Sequence, residues 1–385
     1  MSRLELRRAF GRRRRVGVAA AALPLLAVAG LGAVGTAPAG AATAKLAQAQ
    51  QQINKYLPSP KKIVQNVPLK HTPTKGKVLI SLISNEPGGG AYYPALEAAT
   101  KAAGWTYKTV TYTNTDAASI AQAYATALQQ HPTAVTMAGF PQTMIGTTNI
   151  KAYQAAHVPI ILVGDAGVKT NTVVKGTPGG PPTDVLSGQL EADELAVNSK
   201  GKGSAVVVSL TAYPLMVIQK NAFLKQTKKV CPKCKTNVLS LTLTEVNGGQ
   251  ANSTIVSALK SHPTAKYLVI LDAPIADGWA EALKAAGMTN IKVEGGGMDK
   301  TAASQVKLGR AFAFTPYGQD VAAQGAIDLA LRFSETMPTN HNNDLLPMQV
   351  LTPKNIGTIT TWQFPASSLQ QYEKLWKVPT TGNTG

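Results

Sequence analysis

From Lys77 onward, short apolar runs alternate with longer amphipathic stretches. Buried strands read as continuous apolar runs and surface helices show one apolar face, so this alternation is typical of βαβ units with a parallel sheet. The pattern predicts two sets of four strands, Val78–Ser84, Tyr107–Thr113, Ala134–Ala138 and Pro159–Gly164, then Ala205–Leu210, Asn237–Thr242, Tyr267–Leu271 and Ile291–Glu294. The predicted helices are Tyr93–Ala103, Ala117–Gln130, Gln142–Ala156, Leu215–Lys228, Gln250–Lys260 and Asp277–Ala286.

The two sets resemble each other at a near-constant offset. The sequence LQQHPTA at Leu128–Ala134 recurs as LKSHPTA at Leu259–Ala265, 131 residues later. Ser81-Leu82 in the first strand matches Ser209-Leu210, 128 residues later. Internal similarity in register indicates a repeated architecture. We therefore predict an α/β protein with two doubly wound parallel-sheet lobes of similar topology and a ligand cleft between them.

The first 41 residues predict an export signal. An arginine-rich start precedes the uncharged run Val16–Gly35, and Ala39-Gly40-Ala41 supplies small residues at a cleavage site. We predict a signal peptide over residues 1–41 and an extracellular or cell-envelope location. An uncleaved membrane anchor is the alternative, because the run is nearly long enough to span a bilayer. No cysteine lies near the cleavage site, so we expect no lipid anchor there.

Residues 42–76 predict a tether. Ala42–Leu57 reads as a short helix rich in Ala and Gln, and Pro58–Lys77 is basic, contains proline and has no apolar period.

Composition narrows the class of protein. Hydrophobic residues make up 44% and charged residues 15%, which excludes a disordered chain. The net charge is +18, and residues 42–385 alone carry 31 basic and 19 acidic side chains, or +12. A basic body suits an anionic envelope surface. Two cysteines and five histidines give little material for a metal site, and we predict none.

Cys231-Pro232-Lys233-Cys234 is the one cysteine motif. A CxxC motif can supply two of the four ligands of a structural zinc site, but the chain has no second cysteine pair to supply the others. A redox CxxC normally caps a helix after a strand, whereas this motif follows a helix. A local disulfide between Cys231 and Cys234 suits an exported protein and is favoured. The lysines around the motif predict a solvated face, with a polyanion contact as the alternative.

Aromatic and acidic residues follow the predicted strands. The aromatic candidates for ligand contact are Tyr92, Tyr93, Phe140, Tyr213 and Trp279, and the acidic candidates are Asp165, Asp272 and Asp299. Aromatic faces pack on sugars or planar ligands, and carboxylates accept hydrogen bonds from ligand hydroxyls. The alternatives are a core tyrosine and an aspartate that caps a helix or turn.

Catalytic motifs are absent. The sequence contains no HExxH, GxSxG or Walker loop, so we predict that the protein is not an enzyme and uses no cofactor.

Over Gly76–Val378 the chain resembles the periplasmic-binding-protein type I family, the ribose-binding-like receptors of ABC importers. The resemblance rests on the opening strand Lys77–Ser84 and on four further segments. These segments are Val158–Ile161 before Asp165, Val269–Asp272 before Asp277-Gly278, Glu294–Asp299 and Leu351–Ile356.

The resemblance implies a three-stranded hinge with crossovers near Pro182, Thr315 and Asn343. It assigns residues 77–182 and 316–343 to an N-terminal lobe, and 183–315 and 344–378 to a C-terminal lobe. It also places sugar contacts at the five positions Tyr92, Tyr93, Asp165, Asp272 and Asp299. This chain departs from the pattern, because Tyr213-Pro214-Leu215-Met216 stands where the family has an arginine, and Asp272 replaces asparagine.

These features predict an exported, monomeric solute-binding protein. Its lobes would close on a small molecule, a sugar or sugar-like ligand, and present it to a membrane ABC permease. The alternative is an extracellular ligand-sensing or wall-associated binding protein with no transport role. A repressor would need an N-terminal helix-turn-helix, and residues 1–75 offer a signal and a tether instead, so no nucleic acid partner is expected.

Overall fold

The computed structural model describes residues 39–85, 92–176, 178–339 and 345–381. These residues form two five-stranded sheets in which all pairs of strands are parallel. The first sheet contains β1 (Val78–Ser84), β2 (Thr106–Tyr112), β3 (Ala134–Ala138), β4 (Ile160–Val163) and β5 (Val174–Lys175). The second contains β6 (Ser204–Leu210), β7 (Lys235–Leu241), β8 (Tyr267–Ile270), β9 (Lys292–Gly296) and β10 (Ala311–Thr315).

The two sheets have the same topology. The first has the order β2-β1-β3-β4-β5, and the second, read from its other edge, has the order β7-β6-β8-β9-β10. The prediction of two lobes of one plan is confirmed. Strands β1 and β3 have the predicted bounds, whereas β5 and β10 were not predicted.

Helices cover both sheets. They are α1 (Ala39–Tyr56), α2 (Tyr92–Ala102), α3 (Ala117–Gln129), α4 (Thr147–Ala156), α5 (Pro181–Asn198), α6 (Pro214–Val230), α7 (Leu243–Asn247), α8 (Ala251–Ser261), α9 (Trp279–Ala285), α10 (Lys300–Lys307), α11 (Gln319–Ser334) and α12 (Ser368–Trp376). The predicted helix Gln142–Ala156 is divided, because Gly146 has a φ of +78° between a 3-10 turn, Gln142–Ile145, and α4.

Apolar side chains fill both faces of each sheet. In β1, Leu79 packs into one cluster of the first lobe, and Ile80 and Leu82 pack into the cluster on the opposite face. The second lobe has a single large cluster around β6 and β8. Burial on both faces explains why these strands read as continuous apolar runs.

Residues 58–77 form a packed strap rather than a loose tether. They lack regular secondary structure, but Leu69 is buried and donates its backbone N–H to the Leu375 carbonyl at 2.8 Å. At the N-terminal end of the strap, Ala49 and Ile53 of α1 pack against the second lobe. The strap therefore runs from the second lobe to the first.

The C-terminal helix corrects the predicted lobe boundary. Residues 344–378 were expected in the second lobe, but α12 packs on α11 and the first lobe. Its Trp376 indole donates to Asp328 of α11 at 2.9 Å, which fixes it there. Leu351 and Met348 form antiparallel bridges with Phe314 and Tyr317 where the chain crosses between the lobes.

Some predicted features fall outside the described residues. These are residues 1–38 of the predicted signal peptide, the loop 86–91 and the crossover near Asn343. Among the helices that are described, none combines the length and apolarity needed to cross a bilayer.

A disulfide joins Cys231 and Cys234 in the turn between α6 and β7. Because it closes a very short loop, replacing both cysteines by alanine should lower the free energy of unfolding by only about 2 kcal/mol. Urea unfolding of the double variant measures this loss. A loss more than twice as large would show that the bond does more than hold the turn.

Candidate functional site

A cavity of about 240 Å³ lies at the carboxyl ends of both sheets. Parallel α/β sheets bind ligands at this edge, because the loops after their strands are free to carry side chains that are not needed for the core. Residues of both lobes line it: Ser84, Tyr92, Tyr93, Tyr112, Asn114, Ala138, Gly139, Phe140, Val163, Gly164, Pro178, Gly179, Asp184, Tyr213, Leu215, Met216, Gln219, Asp272, Tyr317, Gln319, Ala322 and Leu346.

The first lobe supplies an aromatic wall. Tyr92 and Tyr93 begin α2 and meet edge to face, with ring centroids 5.2 Å apart. Phe140, after β3, contacts Tyr112 at the end of β2 with centroids 5.9 Å apart. Burial raises the pKa of Tyr93 to about 12, so its phenol is neutral and can donate a hydrogen bond.

The lobes touch across the cavity. The ring of Tyr213, at the start of α6, meets Phe140 of the first lobe with centroids 5.6 Å apart. The side-chain amide of Asn247 donates to Asn114 of the first lobe at 2.9 Å. These contacts indicate a closed cleft.

The second lobe supplies carboxylates. Asp184 lies in the first turn of α5, and Asp272 follows β8. Behind them Glu191 is buried and accepts hydrogen bonds from Ser187 at 2.8 Å and from Gln219 at 2.7 Å. Gln219 also donates to the Leu271 carbonyl at 2.8 Å, so it holds α6, α5 and the end of β8 together.

Three glycines at the end of β9 make room for this cluster. A Cβ at Gly296 would overlap the Leu271 carbonyl and the Glu191 carboxylate, and a Cβ at Gly297 would overlap Asp272. Gly297 also has a φ of +57°, which disfavours other residues. The run Gly295–Gly297 therefore allows the close approach of backbone and carboxylates.

The carboxylates hold their protons strongly. The pKa of Asp184 is raised to about 8, mainly by burial; its own backbone N–H opposes this shift, and the charge of Asp272 adds to it. Burial, followed by the charge of Asp299, raises the pKa of Asp272 to about 7. Burial likewise raises the pKa of Glu191 to about 8, against the hydrogen bonds from Ser187 and Gln219. Like charges in a dry site repel, so the ionised forms are disfavoured.

Five of the predicted contact residues line the cavity: Tyr92, Tyr93, Phe140, Tyr213 and Asp272. Three others do not. Asp165 accepts from the Gln142 backbone at 3.0 Å, and Asp299 caps α10 by accepting from the Ala302 backbone at 2.7 Å. Trp279 packs in the core of the second lobe.

Sequence reasoning missed other lining residues. Asp184 lies in α5, a helix that was not predicted, and Gln219 lies within α6. The polar residues Asp184, Ser187, Glu191 and Glu194 recur at helical spacing, and this stripe was the signal that could have revealed them. Tyr317 and Gln319 adjoin the crossover from β10 to α11.

No family model and no curated protein matches this sequence. Solved structures do match. A sugar ABC transporter protein from Yersinia enterocolitica aligns with a TM-score of 0.66 and 13% identity, covering 81% of this chain and 99% of the other. A galactofuranose-binding protein aligns at 0.63 with 17% identity, covering 78% and 99%. A putative LacI transcriptional regulator from Bacteroides fragilis aligns at 0.61 with 14% identity, covering 74% and 100%.

These likenesses agree with the topology of the two sheets and with the cleft between them. The chain therefore has the two-lobed fold of the periplasmic-binding-protein type I family, as its sequence predicted.

Proposed function

We propose that this protein is an exported solute-binding protein, which captures a small ligand in the cleft by lobe closure and presents it to an ABC importer. The observation that carries the proposal is the cavity of about 240 Å³ with walls from both lobes. It is smaller than the cavities of about 300–1,000 Å³ that hold drug-sized ligands, and so suits a molecule the size of a sugar. Further support comes from structural neighbours whose names include sugar transport and galactofuranose binding.

The closed cleft suggests the mechanism. A ligand held by both lobes favours the closed form, because only that form makes both sets of contacts. Tyr213 and Phe140 meet directly across the cleft, so their contact is part of the closed form.

Binding and closure can be tested together. A thermal-shift screen of sugars, polyols, nucleosides and aromatic acids should yield a compound that raises the Tm. Small-angle scattering should then show a smaller radius of gyration with that compound than without it. If no compound in these classes binds, or if a bound compound leaves the scattering unchanged, capture by lobe closure is wrong.

The Tyr213→Ala variant tests the cross-lobe contact. Losing an aromatic pair should weaken binding of the screened compound about two- to tenfold, because such pairs contribute about 0.5–1.5 kcal/mol beyond area burial. Tyr213→Phe keeps the ring and serves as the control. Equal affinities for the alanine variant and the original protein, measured by calorimetry, would contradict this role.

The second candidate is a ligand sensor or wall-associated binding protein. The basic charge of +12 on residues 42–385 favours it. A neighbouring gene pair for a permease and an ATPase would favour import instead.

A further inference from the structure

The acidic end of the cavity lacks partners for its carboxylates. Asp184 lines the cavity with only 4% of its surface exposed, and Asp272 lines it beside Asp184. Among the described residues, none donates a hydrogen bond to Oδ1 of Asp272, and Asp184 receives one only from its own backbone N–H. Both carboxyl groups border the cavity without side-chain donors among the described residues, so they can accept hydrogen bonds from a ligand.

Among the described residues, no cationic side chain stabilises the ionised forms of these carboxyl groups. The described residues that line the cavity include no Lys, Arg or His, and no cationic side chain is among the charges that act on Asp184, Glu191 or Asp272. The ion pairs in the described part of the chain are Lys101–Glu97 and Arg332–Asp328, and neither involves a cavity residue. The chain has 38 basic residues, so the shortage at this site reflects their placement and not their number.

Aromatic rings line the same cavity as the two carboxyl groups. The cavity is lined by Tyr92, Tyr93, Tyr112, Phe140, Tyr213 and Tyr317. The face of an aromatic ring is negative and attracts cations, most strongly where water is excluded. The described residues contain no group of three or more His, Cys, Asp or Glu suited to a metal ion. The surroundings therefore favour an organic cation.

We propose that the cleft selects a small organic cation and holds its ammonium group at Asp184 and Asp272 among the aromatic rings. This inference rests on the proposed function and adds the ligand class to it. An ammonium group supplies both the charge and the N–H donors that the carboxylates lack, and such charge-assisted hydrogen bonds are about twice as strong as neutral ones. A neutral sugar would leave the carboxylates uncompensated or force them to stay protonated.

Matched probes test the ligand class. Glucosamine is compared with glucose, putrescine with 1,4-butanediol, and tyramine with 4-ethylphenol, by thermal shift and calorimetry. We expect an amine of this set to bind and its neutral partner to bind at least about tenfold more weakly, as expected when a hydrogen bond to a charged group is lost. Calcium and magnesium chloride are included, and tight binding of either metal alone would overturn the inference.

Variants locate the binding. Asp184→Asn and Asp272→Asn should each lower the affinity for the amine about 10- to 100-fold. Asp116→Asn is the matched control, because it removes the same charge at the exposed N-cap of α3, where asparagine can also cap. Its affinity should equal that of the original protein.

Proton release gives a second readout. The titratable groups whose charges act on this site are Asp184, Glu191, Asp272, Asp299 and the Tyr317 phenol, with Glu294 coupled to Glu191. A bound cation favours the ionised carboxylates, so amine binding should release protons at pH 7 and strengthen from pH 6 to pH 8. Calorimetry in buffers of different ionisation enthalpy measures the release.

The possible outcomes separate this inference from the proposed function. If glucose binds as well as glucosamine, and the two asparagine variants keep their affinity for glucose, the inference that the cleft selects a cation is wrong. The proposal of ligand capture is then unaffected. If no probe of either charge binds, the inference fails together with the support for ligand capture. If an amine binds but the scattering profile does not change, the inferred ligand class is supported and lobe closure is wrong.

Discussion

The Arg332→Met variant is expected to lose about 3–5 kcal/mol of unfolding free energy, because breaking a buried ion pair leaves one charge uncompensated. Arg332 and Asp328 are both fully buried in α11, and the Arg332 Nε donates to Asp328 Oδ2 at 2.6 Å. The guanidinium also donates to the Val67 carbonyl of the strap at 2.5 Å, and Trp376 of α12 donates to Asp328. The pair therefore ties the strap and α12 to the first lobe.

Urea unfolding of Arg332→Met measures this loss. Lys101→Met is the control, since its pair with Glu97 is exposed and should contribute no more than about 0.5 kcal/mol. Adding Asp328→Leu to Arg332→Met should restore part of the stability, because the uncompensated carboxylate is then removed. If Arg332→Met alone stays within about 1 kcal/mol of the original protein, the strap and α12 are held by their other hydrogen bonds and apolar contacts instead.

Raising the pH from 5 to 8 is expected to lower the unfolding free energy of the unliganded protein by at least about 3 kcal/mol. The folded pKa values of Asp184, Glu191 and Asp272 are about 8, 8 and 7, above the values near 4 of an unfolded chain. Over this range the three carboxyl groups are ionised in the unfolded state, whereas in the folded state they keep their protons until the pH approaches 7 to 8. Stability therefore falls as pH rises towards the folded pKa values.

The measurement is urea unfolding at several pH values. Asp184→Asn should match the original protein near pH 5 and exceed it at pH 8, because its amide does not ionise in this range. Asp116→Asn, on the surface of the first lobe, should keep the original pH dependence. A flat stability profile between pH 5 and 8 would show that these carboxylates ionise freely in the folded protein. The experiment needs no ligand, so it tests the cleft electrostatics independently of the ligand class.

Much of the fold could be predicted because its signals are local. Apolar runs identified eight of the ten strands, and the repeated HPTA segment marked the end of equivalent helices, α3 and α8, in the two lobes. Helices α5 and α11 escaped because both are buried on several sides, so that the contrast between an apolar and a polar face disappears. Asp184, the residue of α5 that lines the cavity, was missed with it.

The candidate site was predicted in part, for a different reason. An aspartate after a strand can accept from a ligand or from a nearby backbone N–H, and local sequence does not distinguish the two. Asp165 and Asp299 accept from backbone N–H groups, whereas Asp272 receives no such bond among the described residues and lines the cavity. Aromatic side chains after the strands reached the cavity more often, with Trp279 as the exception.

The sequence by itself determined the two repeated α/β lobes and the edge of the sheets at which the cavity lies. The apolar periodicity of a strand or helix is set by positions that are close together in the chain, so it can be read from the sequence alone. Only the tertiary structure decided that Asp184 of α5 and Asp272, after β8, line one cleft whose described residues include no cationic side chain, and that the strap and α12 pack on the first lobe. Those pairings join residues far apart in sequence, and which of them form depends on how the helices and sheets pack together.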